Sequence, residues 1–505
     1  MIPLSSRTWP DLRIIIRDLG LLVPVVGVMA VISLVVPLVF NEAYAFYPLL
    51  ITALISFALG AILYFPFRTA GDAKLKHGMI IASFGWLLVA ALGALPFILV
   101  AVFAQQHGVA SSTLLYFRDP TNAFFESISG YTGTGLTMAA RADLLPHTLQ
   151  WWRSFIEWIG GMGVIVLMLT IIAGPQPGAA KYSLYYAEAR GEKIHPSIVS
   201  TLRTMWWIFL LYTFVSTIIL WGAGMPIWDA LNTAMTAIST GGFSVTANSI
   251  ASYHSVAIEL SLIPIMLFGA ISFAVHYELM RGKGQTLWQD PQTRWVLIMM
   301  LMGSLFLTLE NLVSLGIWQS LRDSAFQFVS AMTCTGFQTV DIGSWSATAK
   351  LLLSAGMVFG GAAGSTAGGI KVIRMLILFK GVGWRFRKIV SPQGALVPFR
   401  IGRKAVDESE VGHRLEDASL ITFLWLVFLA LGVIVLLHTT SPQFSLADVI
   451  FEVASAQGNV GLSVGITGPT MPTLSKLALS FNMWIGRLEI IPVLMFIRFL
   501  FFGVQ

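Results

Sequence analysis

Charge is what this sequence has least of. Of 505 residues only 11% are Asp, Glu, Lys or Arg against 56% hydrophobic, and the mean hydropathy is +0.77. That balance places the chain among integral membrane proteins and excludes a string of soluble domains. Cysteine is nearly absent: Cys334 alone excludes an internal disulfide framework and, lacking partners, a thiolate metal site. The eight histidines (His77, His107, His147, His195, His254, His276, His413 and His438) fall in loops or at span ends without metal-ligand spacing. No GxxxxGK[ST] run offers a nucleotide site, and no nucleophile and base, or metal set, stands at membrane depth as an intramembrane enzyme requires. The net charge of +6 could suggest nucleic acid. Lys and Arg fall mostly between apolar runs, however, as cytoplasmic loops require, so no nucleic-acid partner is expected.

What is there is apolar length. Ten runs can span a bilayer, near 14–40, 47–67, 79–103, 152–173, 205–221, 257–275, 295–317, 351–379, 420–437 and 477–502. The first follows Arg7, Arg13 and Arg17 and is too long for a signal-peptide core, so it is expected to stay as an anchor. An inside N-terminus puts 22 of the 31 Lys and Arg in cytoplasmic segments and six outside (Arg118, Arg141, Arg153, Arg322, Lys350, Lys476). Lys371, Arg374 and Arg487 remain at membrane depth. The asymmetry sets both termini in the cytoplasm. Trp151, Trp152, Trp206 and Trp207 read as an aromatic belt.

One stretch recurs four times between these runs. NAFFESISGYTGTGLT from Asn122, DALNTAMTAISTGGFS from Asp229, DSAFQFVSAMTCTGFQ from Asp323 and DVIFEVASAQGNVGLS from Asp448 align without a gap. Gly135, Gly242, Gly336 and Gly461 coincide, and six residues earlier stand Ser129, Thr236, Ser330 and Ser455, small hydroxyls that permit close helix approach. Asn122, Asp229, Asp323 and Asp448 read as helix N-caps, so each copy is expected to be a short helix entering a glycine-rich loop. Four copies in one register form an internal repeat, which takes precedence in any fold argument. The expected fold is all-α with ten transmembrane helices: two leading helices (1–77), then four helix–pore loop–helix units (78–180, 181–282, 283–390, 391–505) in pseudo-fourfold arrangement around one pore. All four loops connect on the outer side, and irregular backbone is tolerated at membrane depth only where protein buries it or it lines an aqueous path.

A cation crossing a bilayer needs its hydration shell replaced by oxygens, which rings of backbone carbonyls supply without a fixed charge. The candidate filter walls are Thr132, Gly133, Thr134, Gly135; Ser239, Thr240, Gly241, Gly242; Thr333, Cys334, Thr335, Gly336; and Gly458, Asn459, Val460, Gly461. Each preceding helix would aim its negative end at the cavity and favour a cation. A second cluster, Gly360, Gly361, Gly364, Gly368 and Gly369 with Ser365 and Thr366, falls inside the eighth run, where it is expected to unwind or kink the helix. Gly360, Gly364 and Gly368 also read as two overlapping GxxxG packing patterns. Arg487 is a charge at depth, costing at least ~2.5 kcal/mol, which faces a cavity or pairs with Glu489, Glu126 or Glu452. Of the two large cytoplasmic connections, 174–203 and 381–417, the second carries Arg385, Arg387 and Lys388, either a solvated positive-inside loop or a docking surface.

These motifs resemble the Trk, Ktr and HKT superfamily of potassium transporters, specifically the membrane subunit of the bacterial Trk system. The likeness covers nearly the whole chain: the four pore segments, IGGMG at 159–163, GGAAGSTAGGIKVIR from Gly360 to Arg374, GRLEI from Gly486, and a leading pair of helices like the one Trk subunits carry. The resemblance implies that the four glycines line a potassium filter, with Gly135 in place of a serine going with potassium selectivity. It implies that the Gly360–Gly369 segment is a mobile gating loop held below by Lys371 and Arg374, and that Arg487 lies near the permeation path. It further implies a homodimer, a cytosolic nucleotide-binding regulatory subunit, surrounding membrane lipid, a prokaryotic inner membrane, and no cofactor on this chain beyond K+ as transported ion. GNVGLS in the fourth loop departs from the Trk pattern towards the Ktr and HKT versions. The alternative is a sodium-conducting or proton/sodium-coupled transporter of the same fold; an anion carrier would show two inverted halves instead of four same-sense repeats.

Overall fold

The computed structural model describes residues 9–163, 194–195, 197–392, 397–402 and 404–503. The inner part of the fourth apolar run (164–173) and most of the connection 174–203 lie outside the described residues. Among the described residues six helical stretches are long and apolar enough to cross a membrane, Trp9–Val39, Ala43–Phe67, Leu75–Gln106, Ile198–Gly222, Pro291–Leu315 and Glu410–Thr439, and the bent pair Val256–Ala270 with Phe273–Met280 makes a seventh if taken as one span. At 1.5 Å per residue the 25-residue ones reach about 37 Å, more than the ~30 Å hydrocarbon core. Phe214, Leu301, Val313 and Phe423 point outward from them, an arrangement that lipid accepts and water penalises. The chain is a multi-pass membrane protein.

Continuity fails in the return halves, in copy 3 as its glycine cluster leads one to expect and in copies 2 and 4 against expectation. Val256–Ala270 meets Phe273–Met280 at 109°. Ala347–Val358 ends well before Val372–Val390 begins, and Thr473–Arg487 is separated from Ile491–Phe502 by Leu488, Glu489 and Ile490. Glu489 and Ile490 both have positive φ (56° and 73°), a strained path for a β-branched residue. His147–Met162 ends at Gly163, whose φ of 94° stops the helix. The described return halves of copies 2, 3 and 4 are thus each made of two shorter helices and not one, and the interruption in copy 3 falls where its glycine cluster is. The all-α expectation also misses one hairpin in the 381–417 connection, Phe399–Ile401 antiparallel to Lys404–Val406. Gly402 supplies its turn at φ 62°, and Phe399 packs edge-on against Trp384.

The short helices of the four copies are Pro120–Thr132, Ile227–Ile238, Ile317–Met332 and Leu446–Gly458. They begin earlier than the N-cap reading placed them. Asn122, Asp229 and Asp448 are third residues of their helices and Asp323 the seventh; the caps are Asp119, Pro226, Gly316 and Ser445. Asp119 accepts the Thr121 N–H ahead of Pro120, and Ser445 with Asp448 forms a reciprocal capping box. In copies 1, 2 and 4 the polar or acidic third residue still faces the positive helix end, while the helix of copy 3 begins four residues earlier and leaves Asp323 beyond its first turn. The leading helices are tied to copy 1 through Glu42 in the turn between them. Its carboxylate accepts the His147 and Thr148 N–H groups at 2.7 and 2.9 Å, capping the first return helix. The belt reading holds for Trp207, 68% exposed, and fails for Trp152, which is buried and donates to Gly93 O at 3.0 Å.

Candidate functional site

Each short helix leaves through the same backbone path. Two residues before the aligned glycine, Gly133, Thr240, Cys334 and Asn459 have φ of 66, 54, 57 and 54°; Gly135, Gly242, Gly336 and Gly461 have 84, 87, 78 and 99°. The residue between donates its N–H back to the small hydroxyl residue of its own helix: Thr134 to Ser129 O, Gly241 to Thr236 O, Thr335 to Ser330 O and Val460 to Ser455 O, at 2.8 to 3.0 Å. Its carbonyl meets the ring glycine of the preceding copy. A Cβ on Gly135 would lie 2.1 Å from Gly241 O, on Gly242 2.0 Å from Thr335 O, on Gly336 1.9 Å from Val460 O, and on Gly461 2.2 Å from Thr134 O. Copy 1 thus touches copy 2, copy 2 touches 3, 3 touches 4, and 4 returns to 1. The loops close a ring in which any residue but glycine collides with a neighbour's carbonyl.

The ring is rich in carbonyls that the protein does not use. Of the sixteen in 132–135, 239–242, 333–336 and 458–461, only Ser239 O accepts a hydrogen bond among the described residues, from Thr240 Oγ1 at 2.7 Å. Fourteen of the sixteen residues are buried, all but Gly135 and Gly461. Buried carbonyls are ordinarily paired, so this concentration marks a place that takes its ligands from elsewhere. Side chains here turn away from the carbonyls: Thr132 Oγ1 bonds Thr134 Oγ1, Thr333 Oγ1 bonds Thr335 Oγ1, and Asn459 Nδ2 donates to Thr134 Oγ1 and Met483 O. A vestibule of about 710 Å³ opens on the ring, lined by all four glycines together with Thr137, Gln338, Ser463 and Arg153.

A second fourfold pattern clamps the ring. The fourth residue of each return helix, Gln150, Glu259, Lys350 or Lys476, reaches the beginning of the next copy's short helix. Gln150 Oε1 accepts from Trp228 Nε1 at 2.8 Å, and Glu259 accepts from Arg322 Nε and Nη2 at 2.8 and 2.7 Å. Lys350 Nζ donates to Asp448 Oδ1 at 2.6 Å, and Lys476 Nζ lies 3.8 Å from Asp119 Oδ2. Three of the outer-side cations that break the positive-inside pattern are therefore links between copies. Arg153 is a fourth: 1% exposed, it donates to Glu126 Oε1 and to Ser244 O of copy 2, both at 2.7 Å.

Below the ring the copies cease to be equivalent. The return helices read EWIGG, MLFGA, MVFGG and MWIGR from Glu157, Met266, Met357 and Met483. In copies 1 and 4 the glycine packs on its own short helix, a Cβ at Gly160 or Gly486 falling 2.0 Å from Tyr131 O or Gln457 O. In copy 3 a thirteen-residue segment, 359–371, crosses there instead. Gly360 and Ile370 pair across its neck, the Gly360 N–H donating to Ile370 O at 3.1 Å. Thr366 Oγ1 donates to Gly269 O and Ile238 O of copy 2, at 2.8 and 3.2 Å, and Gly364 O accepts the Phe273 N–H. Gly361 and Gly368 make close approaches, a Cβ falling 2.7 Å from Ala270 O of copy 2 and 2.3 Å from Gly458 O of copy 4, while Gly369 turns at φ 64°. Ser365 Oγ donates to Ala362 O, Lys371 Nζ to Ala367 O, and Arg374 pairs with Glu489.

Arg487 stands where the other copies have Gly161, Ala270 and Gly361. Its guanidinium donates to Thr366 O at 3.1 Å, Gly160 O at 2.6 Å and Gly161 O at 3.0 Å, joining copy 4 to copies 3 and 1. The carboxylates expected to pair with it are engaged elsewhere: Glu489 with Arg374, Glu126 with Arg153, and Glu452 with Ser463, Val464 and Thr467. His77 joins Asp11 and the Lys74 N–H, His276 joins Tyr212 and Phe268 O, and no group of three metal-ligating side chains occurs among the described residues. Every candidate filter and loop residue thus falls in the ring or the layer under it. The clamps, Arg153 and Glu157 were missed, although aligning the return helices as well as the short ones would have exposed them.

A chain with several membrane-crossing helices and an internally repeated core ringed by unused carbonyls belongs, by class, with multi-pass membrane transporters. The model of the TrkH family, described as a cation transport protein, matches residues 48–501. An uncharacterised cation transporter of Methanocaldococcus jannaschii is 33% identical over 98% of this chain and 97% of its own. The Trk system potassium uptake protein TrkH of Salmonella typhimurium is 32% identical over 95% and 97%. The crystal structure of the potassium transporter TrkH from Vibrio parahaemolyticus superposes with a TM-score of 0.80 at 27% identity, covering 96% of this chain and 98% of that one. The chain belongs to the TrkH family of cation transport proteins, which are transporters and not enzymes.

Proposed function

We propose that this chain takes up potassium through the centre of the glycine ring, with the units 78–180, 181–282, 283–390 and 391–505 surrounding one pore and 1–77 packed outside it. The observation that carries the reading is the cyclic approach of each ring glycine to the next copy's carbonyl. Carbonyl dipoles without protein partners are the ligands that replace a cation's water, and the four helix C-termini aimed at the ring add negative potential. Two relatives named for potassium support potassium as the ion.

The segment 359–371 is the gate in this reading, since it lies beneath the ring and reaches from Gly269 and Ala270 of copy 2 to Gly458 of copy 4. Arg487 Nη1 comes within 3.9 Å of the Cβ position at Gly133. A fixed cation at that range raises the local barrier by ~4 kcal/mol at an effective dielectric constant of 20, less where water enters. The partners are a second copy and a cytosolic nucleotide-binding subunit docking on the basic connection at Arg385, Arg387 and Lys388. The membrane is the prokaryotic inner membrane, with both termini inside.

Flux of potassium and sodium into liposomes holding the purified chain tests this. Potassium flux should exceed sodium flux, and Gly135→Ser should narrow the ratio while the protein stays folded. Equal fluxes in the unaltered chain would favour the sodium-conducting alternative.

A further inference from the structure

One seam of the ring is built differently from the other three. Three residues before the break glycine, copies 2, 3 and 4 carry Met266, Met357 and Met483, all buried; copy 1 carries Glu157, also fully buried. One helical turn earlier they carry Leu262, Leu353 and Leu479, and copy 1 carries Arg153. Two apolar positions repeated three times are exchanged for an Arg and a Glu at i and i+4. Arg153 is committed to Glu126, Thr137 and Ser244. Glu157 does something else. Its Oε2 accepts the N–H of Phe243, the residue after the ring glycine of copy 2, at 3.0 Å. Its Oε1 has no hydrogen-bond partner among the described residues. The carboxyl also abuts Gly241, where a Cβ would lie 2.2 Å from Glu157 Cδ and 2.7 Å from Oε1. Gly241 is the residue whose carbonyl faces Gly135 across this seam.

We infer, resting on the filter reading above, that Glu157 is a positioning residue for the wall between copies 1 and 2. From behind, it holds the Phe243 amide and seats Gly241, and so sets the angle at which the Gly241 carbonyl meets a permeating cation. The methionine of the other copies fills the same space but offers no acceptor to an amide. The matching amides of Leu136, Phe337 and Leu462 have no acceptor among the described residues and their glycines keep the same φ, so the Glu157 acceptor adds to packing at this one seam, and removing it weakens the seam's hold on the Gly241 carbonyl by about tenfold. Selectivity, which depends on all carbonyls at once, is then more sensitive than folding.

The potassium-to-sodium flux ratio of the reconstituted full chain tests this in Glu157→Met, Glu157→Gln and Gly242→Ser. Glu157→Met should lower the ratio about tenfold, and Glu157→Gln, which keeps an acceptor oxygen, should restore most of it. An unchanged ratio in folded Glu157→Met, beside a lowered ratio in Gly242→Ser, would overturn the role of Glu157 and leave the filter standing. An unchanged ratio in both would overturn the filter reading and this inference with it. A loss in Glu157→Gln equal to that in Glu157→Met would overturn the acceptor role in favour of charge. If Glu157→Met does not fold, Glu157→Asp, which keeps the carboxyl but withdraws its oxygen from Phe243, decides in the same way: a lowered ratio supports the role and an unchanged one overturns it.

Discussion

The ring and the layer beneath it are made from the same four copies and follow opposite rules. In the ring, φ angles, amide partners and cross-copy approaches repeat within narrow limits, and the outer clamps repeat in position even where their chemistry changes from an amide to a carboxylate to an ammonium. One layer down, the equivalent helix positions hold Gly161, Ala270, Gly361 and Arg487, and among the described residues it is copy 3 that inserts a loop. Surrounding a cation with carbonyls demands equivalence. A device that blocks its path can come from one side, and in the proposed function copy 3 supplies that obstruction and copy 4 the charge that fastens it.

The largest expected effect tests the equivalence directly. Gly242→Ala and Gly461→Ala each place a Cβ about 2 Å from a backbone oxygen, and the potassium-to-sodium flux ratio of reconstituted protein should fall about a hundredfold in both. A loss in one and not the other would break the symmetry of the ring. Next is the clamp. Lys350→Met strands the mostly buried Asp448, which should lower stability by about 3 kcal/mol in thermal unfolding in detergent. Lys476→Met, whose partner Asp119 is exposed and 3.8 Å away, should cost under about 1 kcal/mol.

The layer below should answer in flux and not in folding. Arg487→Gln should raise flux about tenfold, a fraction of the electrostatic barrier estimated above. Arg487→Lys should fall between Gln and the unaltered chain, because the guanidinium bridges three carbonyls on two copies and an ammonium cannot reach all of them. Flux with Lys equal to that of the unaltered chain would mean that charge alone matters. The smallest effect is expected of Thr366→Val, which keeps the shape and removes the bonds to Gly269 O and Ile238 O. Losing roughly 1 kcal/mol of anchoring should raise flux about fivefold without the regulator.

The sequence carried the ring because its constraint is local: a glycine six residues after a small hydroxyl residue near the end of a short helix, four times. It carried the unwound segment of copy 3 for the same reason, since glycine density is visible residue by residue. It misplaced the caps, because an Asp three residues into a helix and an Asp at the cap read alike until the preceding Ser445 or Pro120 is weighed. The breaks at Ser272 and Glu489 were hidden inside apolar runs with no proline or glycine cluster at the break itself. Arg487 could be placed at depth but not given its partners, because Thr366, Gly160 and Gly161 lie more than a hundred residues away and bind through backbone oxygens that any residue offers.

The central claim, that the ring is where a monovalent cation is held, is tested most directly by anomalous scattering from crystals grown with rubidium or thallium in place of potassium. The account expects a peak on the axis of the ring, coordinated by carbonyls of Thr134, Gly241, Thr335 and Val460 and lost in Gly242→Ala. Peaks confined to the outer vestibule or the cytosolic face, with none among those carbonyls, would contradict it.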